Sequence, residues 1–239
     1  MAGPPRLIVG AGKRVLLVCD HASNGVPAGV SLGVPEAAMV DHVAWDIGAA
    51  ALTERLAADL AVPGWLATVS RLVIDCNRPP EMAIPRKSDG IIIPGNVGLS
   101  KGEIAARLAL HTAFHDGLAR LIADNAPVLL VSIHSFTPAL ASAPVPRPWP
   151  VGVLWNEDYR GAELAIGALE METGLGGPVG SNEPYSGKVL NYTMDRHAEA
   201  AGIPYIGFEV RQDLIREPEG VSRWAGVLAR AIRTTLEGL

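Results

Sequence analysis

Cysteine is scarce in this sequence: Cys19 and Cys76 are the only two among 239 residues. Both sit inside apolar, strand-like runs, and a pair so placed reads as buried thiols of a cytoplasmic protein rather than a disulfide framework. Neither stands at an electropositive helix start, the setting that activates a cysteine nucleophile. Positive charge is also short. Lys and Arg total 20 against 25 Asp and Glu, and the pI is near 5.7, so the footprint of a nucleic-acid binder is missing. No apolar run approaches the roughly 20 residues that cross a bilayer. The opening Met1-Ala2-Gly3-Pro4-Pro5-Arg6 lacks the charged and apolar regions of a signal peptide. Several catalytic motifs are absent as well. There is no G-x-S-x-G elbow and no H-E-x-x-H pair. Gly10-Ala11-Gly12-Lys13 lacks the third glycine of a dinucleotide fingerprint and precedes a strand instead of following one. No internal repeat or domain boundary shows, so one domain over 1–239 is expected.

What the chain does have is apolar residues, 49% of the total, enough for a large core. Extended and helical patterns alternate, which predicts an α/β fold. Extended runs are expected at 14–19, 65–70, 71–76, 128–133, 151–155 and 204–210. Helices are expected within 35–61 (one or two, with Pro35 as an opening residue), near 159–172, near 189–201 and at 219–238. Ser100 opens a further helix, and Glu103 three residues later makes a capping box. On it Ile104, Leu108, His111, His115, Leu118 and Ile122 share one face. Residues 79–99 are punctuated by Pro and Gly without periodicity, a length that goes with functional lids.

Two of the extended runs end in histidine. Arg14–Cys19 leads into Asp20-His21, and Val128-Leu129-Leu130-Val131-Ser132-Ile133 leads into His134. The carboxyl edge of an open α/β sheet is where ligands bind. Two imidazoles delivered there are candidate zinc ligands, since a catalytic zinc site takes three protein ligands plus water; hydrogen bonding to backbone is the other reading. Asp20, Asn24 and Asp46 are available as the third ligand, although Asp46 also suits a helix N-cap. Glu209, near the end of the last extended run, is a candidate general base or a partner for Arg211. Arg71, Asn77 and Arg78 flank one run. A planar guanidinium binds a carboxylate bidentately, so these residues point to an anionic substrate, or else to structural ion pairs. His111 and His115 read as core histidines, one of which could support the site from behind.

Six blocks together resemble the N-formylglutamate amidohydrolase family. They are Asp20-His21-Ala22-Ser23-Asn24, His42-x-x-Trp45-Asp46-Ile47-Gly48-Ala49, Ser70 through Pro79, Ser132 through Pro138, Asn182-Glu183-Pro184-Tyr185-Ser186-Gly187 and Glu209 through Ile215. They run in the family's order from about residue 15 to residue 215. The family is similar in fold to zinc carboxypeptidases and aspartoacylase-type deacylases. The resemblance therefore implies a three-layer αβα sandwich with a mixed, mainly parallel central sheet. It implies a Zn2+ site on His21 and His134, but the glutamate of the relatives' H-x-x-E pair falls on Asn24, so the third ligand is open between Asn24 and Asp46. It implies that Glu209 is the general base and that Arg71 polarises the scissile carbonyl. Asn77, Arg78 and Arg211 would bind the substrate, with Tyr185 and Ser186 closing over it. The implied reaction is hydrolysis of the N-acyl amide of an acidic amino acid, N-formyl-L-glutamate foremost. A deacylase or carboxypeptidase-like hydrolase on another N-acyl amino acid or small peptide is the second reading. A non-catalytic binding protein that retains an acidic-ligand pocket is the third.

Overall fold

The computed structural model describes residues 3–239. Nine strands form: β1 Arg6–Ile8, β2 Val15–Cys19, β3 Gly64–Leu66, β4 Lys87–Ser88, β5 Ile91–Ile92, β6 Leu129–Phe136, β7 Val151–Leu154, β8 Val179–Ser181 and β9 Tyr205–Arg211. The helices are α1 Glu36–Met39, α2 Ala49–Leu60, α3 Lys101–Asn125, α4 Arg160–Glu170, α5 Tyr192–His197 and α6 Pro218–Gly238. Seven strands make one sheet in the order β1-β3-β2-β6-β9-β7-β8, and β4 and β5 form a separate hairpin. In the seven-stranded sheet β3, β2, β6 and β9 run parallel to one another, as do β7 and β8. The β1–β3 and β7–β9 pairings are antiparallel. The mixed, mainly parallel sheet is the one expected.

Side chains alternate across this sheet, and both faces are covered. Val15, Leu17 and Cys19 of β2, Val131 and Ile133 of β6, and Phe208 and Val210 of β9 pack with Leu52 and Leu56 of α2, Leu169 of α4 and Trp224 and Leu228 of α6. Leu16, Val18, Leu130 and Tyr205 turn the other way, onto Phe114 and Leu118 of α3 and Met194 of α5. Strands buried on both faces read as continuous apolar runs, which is why β2, β6 and β9 are recognisable in the sequence. The chain leaves β2 through α2 on one face and enters β6 from α3 on the other. The β2–β6 boundary is thus a switch point, and a crevice opens beyond the carboxyl ends of these strands.

The expected αβα layering stands, with local corrections. Residues 71–76 are not a strand. Val73 and Ile74 donate to the Ser70 carbonyl in a tight turn. Leu72, Val73 and Ile74 fill a satellite apolar cluster with Leu32, Ala83 and Ile93. Their apolarity serves packing beneath the 79–99 segment, not sheet pairing. The 65–70 run shortens to β3. The 35–61 region splits into α1 and α2, and its irregular middle carries Asp46. The helix near 189–201 is α5 followed by a 3-10 turn at Glu199–Ala201. The Ser100–Glu103 capping box on α3 is formed in both directions. Ile104 is exposed, and Arg107 begins the buried stripe instead. Its guanidinium donates to the Gly95 and Val73 carbonyls at 3.1 and 3.2 Å and to Asn96.

The 79–99 segment holds the β4–β5 hairpin. Asp89 sits in its turn with φ 37°. Its carboxylate accepts from the backbone of Ala141 (2.9 Å) and Ser142 (3.0 Å), from the Ser142 hydroxyl and from His42 Nε2 (3.1 Å). The hairpin is clasped to the Pro-rich 139–150 loop. No helix among the described residues is long and apolar enough to cross a membrane.

Candidate active site

The carboxyl ends of β2, β6 and β9 open into a cavity of about 240 Å³. Asp20, His134 and Glu209 follow the even–odd register that places Leu16, Leu130 and Tyr205 on the α3–α5 side of the sheet. Polar groups replace apolar ones just where the sheet ends. His134 and Glu209 are direct register partners on β6 and β9.

Asp46 arrives from the irregular segment before α2. Its backbone N–H donates to the His21 carbonyl at 2.9 Å, docking that segment beside the end of β2. Gly48 then turns the chain into α2 at φ +83°, and a Cβ there would meet the Ile215 carbonyl oxygen at 2.3 Å. Gly48 occupies the N-cap position, so Asp46 is not the helix cap that its residue type allows. Its Oδ2 instead lies 2.9 Å from His134 Nδ1 and 3.4 Å from His21 Nδ1. It also accepts from the Ser135 backbone N–H at 3.3 Å. His21, Asp46 and His134 are all buried, and their ligand atoms lie within 4.8 Å of one another. Each histidine is backed on its other nitrogen by a second carboxylate. His21 Nε2 donates to Asp75 Oδ1 at 2.7 Å, which leaves its Nδ1 with the lone pair. His134 Nε2 lies 3.4 Å from Asp20 Oδ2, an oxygen with no hydrogen-bond partner. Two imidazoles and a carboxylate, each imidazole oriented from behind, fit a zinc-type cation.

The surrounding charges are strongly perturbed. Burial pushes the Asp46 carboxyl up, but Arg71, His21 and His134 more than offset it and hold it well below the usual range. Burial likewise opposes charge on His134, yet the facing carboxylates of Asp20 and Asp46 raise its pKa well above the ordinary value. Glu209 behaves differently. Burial raises its pKa to about 7, with the His134 and Arg71 charges opposing and Asp46 reinforcing the rise. Its Oε2 is buried without a partner. A carboxylate poised near neutrality beside two imidazoles can take and return a proton.

Arg71 stands between these groups. One guanidinium nitrogen contacts His21 Nδ1 and lies 3.1 Å from Asp46 Oδ1. Asn77, Arg78 and Tyr185 also line the cavity, as do His42, Met82, Lys87 and Thr137. Asn77 Oδ1 accepts from the Thr193 N–H at 3.0 Å. Arg78 Nε is 3.8 Å from Asp75 Oδ2. Arg147 donates to the Tyr185 hydroxyl at 3.0 Å and stacks over its ring at 4.8 Å.

Three expected site residues lie elsewhere. The Asn24 amide donates to the Met39 carbonyl at 2.7 Å, outside the His21–Asp46–His134 group, so the chelate spacing with His21 is not used. Arg211 closes its fork on Asp213 at 2.8 and 3.2 Å and does not line the cavity. Ser186 caps the following turn, accepting from the Lys188 N–H at 3.3 Å. Asp75 and Lys87 were not anticipated. Asp75 carried a signal, a carboxylate two residues before Asn77 in the Asp75-Cys76-Asn77-Arg78 block. Lys87 carried none, because its segment has no periodicity.

Residues 13–216 match the family model for N-formylglutamate amidohydrolase. Among curated proteins no sequence matches. The chain is similar in structure to a gene product of Agrobacterium tumefaciens, at 32% identity and TM-score 0.92, with 99% of this chain and 96% of that one covered. It also shares its fold with an N-formylglutamate amidohydrolase from Ralstonia eutropha, at 17% identity and TM-score 0.69, over 98% of this chain and 97% of that one. The family model runs from β2 through the buried histidines to β9, over residues 13–216, and the chain belongs to the N-formylglutamate amidohydrolase family.

Proposed function

We propose that this protein is a metal-dependent amidohydrolase acting on the N-acyl amide of an acidic amino acid, with N-formyl-L-glutamate as the first substrate to try. One observation carries the reading. A buried His21–Asp46–His134 donor group stands beside Glu209, whose carboxylate oxygen is buried and unpartnered. His21 and His134, both through Nδ1, and Asp46 would hold the zinc ion. When bound, zinc supplies Lewis-acid stabilisation of negative charge on oxygen.

The chain's own residues do the rest. Glu209 takes a proton from the attacking water as the water oxygen bonds to the formyl carbon. Arg71 donates to the oxyanion that develops there, the kind of preorganised donor that contributes most in acyl transfer. The C–N bond then breaks, and Glu209 returns the proton to the leaving amine, giving formate and glutamate. Arg78 binds the α-carboxylate, with Asn77 beside it. Arg211 is engaged with Asp213, so the side-chain carboxylate needs another partner. Lys87 lines the cavity and has no ion-pair partner among the described residues. We assign it that role. Tyr185, braced by Arg147, also lines the site.

The test is formate release from N-formyl-L-glutamate before chelation, after it, and after zinc is restored. Activity lost and then regained is expected. Formate release that persists without metal would refute the metal assignment. Release of another acyl group but not formate would move the substrate assignment to that N-acyl amino acid.

A further inference from the structure

We infer that His111 and His115 are positioning residues for the substrate-binding pair Asn77–Arg78, and that His197 orients His115. None of the three lines the cavity. His111 and His115 lie one turn apart on α3, with ring centroids 4.4 Å apart. His111 Nε2 donates to the Arg78 carbonyl at 2.9 Å, and His115 Nε2 donates to the Cys76 carbonyl at 2.9 Å. The two imidazoles thus grip the peptide carbonyls on either side of Asn77.

Carbonyls only accept, so each Nε2 carries the proton. His115 Nδ1 is then an acceptor, and His197 Nε2 donates to it at 2.9 Å. The bond chain runs from α5 through α3 to the loop. A third grip closes it: Thr193 donates its N–H to Asn77 Oδ1 at 3.0 Å, while its hydroxyl donates to Asp20 Oδ1 at 2.9 Å. Below the loop, Asp75 Oδ1 accepts from the Asn77 N–H at 2.9 Å. The segment has no strand to hold it, since 71–76 is a turn. The histidines replace a sheet ladder. Their neutrality suits this: burial lowers the His115 and His197 pKa values to about 3 and about 4.

The inference rests on the proposed role of Arg78 in binding substrate. Its test is kcat, KM, bound zinc and melting temperature for the zinc-loaded full chain acting on N-formyl-L-glutamate. The variants are His111→Leu, His111→Gln, His197→Ala and Arg78→Ala. His111→Leu should raise KM about tenfold, the scale on which groups that orient a binding residue act, with kcat and bound zinc unchanged. His111→Gln keeps an N–H and should restore KM. His197→Ala, which leaves the loop's direct bonds in place, should raise KM by a smaller factor. A lowered melting temperature with wild-type KM in His111→Leu and His197→Ala would overturn the inference. Wild-type KM in Arg78→Ala would instead overturn the role of Arg78, and this inference with it.

Discussion

The carboxylate of Asp46 lies within 3.4 Å of Nδ1 on both His21 and His134, although 88 residues separate it from His134. It is the member of the cluster that ties the two strand-end imidazoles together. Asp46→Ala should therefore lose zinc as completely as His21→Ala or His134→Ala. Equilibrium dialysis with metal analysis measures this; a stoichiometric zinc content in Asp46→Ala would contradict the donor set.

Glu209→Gln keeps shape and removes the base. Turnover should fall about 10²- to 10⁴-fold, the usual contribution of a positioned acid–base group. Zinc content should stay at the wild-type level. Equal loss of zinc and turnover would make Glu209 part of the metal site instead.

Lys87 should set the preference for a second carboxylate. In Lys87→Ala, KM for N-formyl-L-glutamate should rise towards that for N-formyl-L-glutamine, which offers a neutral amide. Parallel steady-state kinetics on the two substrates checks it. An unchanged ratio of the two KM values would remove Lys87 from the site.

The histidine cluster behind the loop should make the fold acid-sensitive. Burial lowers His115 first of all, with the His111 and His197 charges reinforcing and Asp20 opposing. His197 is lowered by burial and then by Arg196, against Asp20. Both have folded pKa values, about 3 and about 4, below the ordinary 6.5. Between these values the unfolded chain binds more protons, so stability rises with pH there and is lost as pH falls from about 6.5. Urea unfolding of the metal-free chain at pH 7, 6, 5 and 4 measures the slope. His197→Phe should flatten it; an identical slope in that variant would place the acid sensitivity elsewhere.

The histidines at the ends of β2 and β6 were legible because parallel strands buried on both faces leave long apolar runs that stop abruptly at a polar residue. The Ser100–Glu103 cap was legible because it is a local pattern with local bonds. Leu72, Val73 and Ile74 misled for a physical reason: apolarity reports burial, and a turn can be buried as fully as a strand. Asn24 and Arg211 stand at plausible spacings, but each is taken by a nearer partner, Met39 and Asp213. Asp46 was one of three choices, with Asp20 and Asn24, because its contact with His134 joins residues 88 apart in the chain and no local period reports it. The family blocks marked Glu209, whereas its unpartnered oxygen emerges only from the packing of β6 against β9.

The Asp89 clasp bears on what can enter. Widening the mouth on the hairpin side means giving up the bonds to Ala141, Ser142 and His42 together. A rim fastened in this way acts as a sieve. On the proposed function it would admit a single acylated amino acid in preference to a polymer end, selecting by girth before charge.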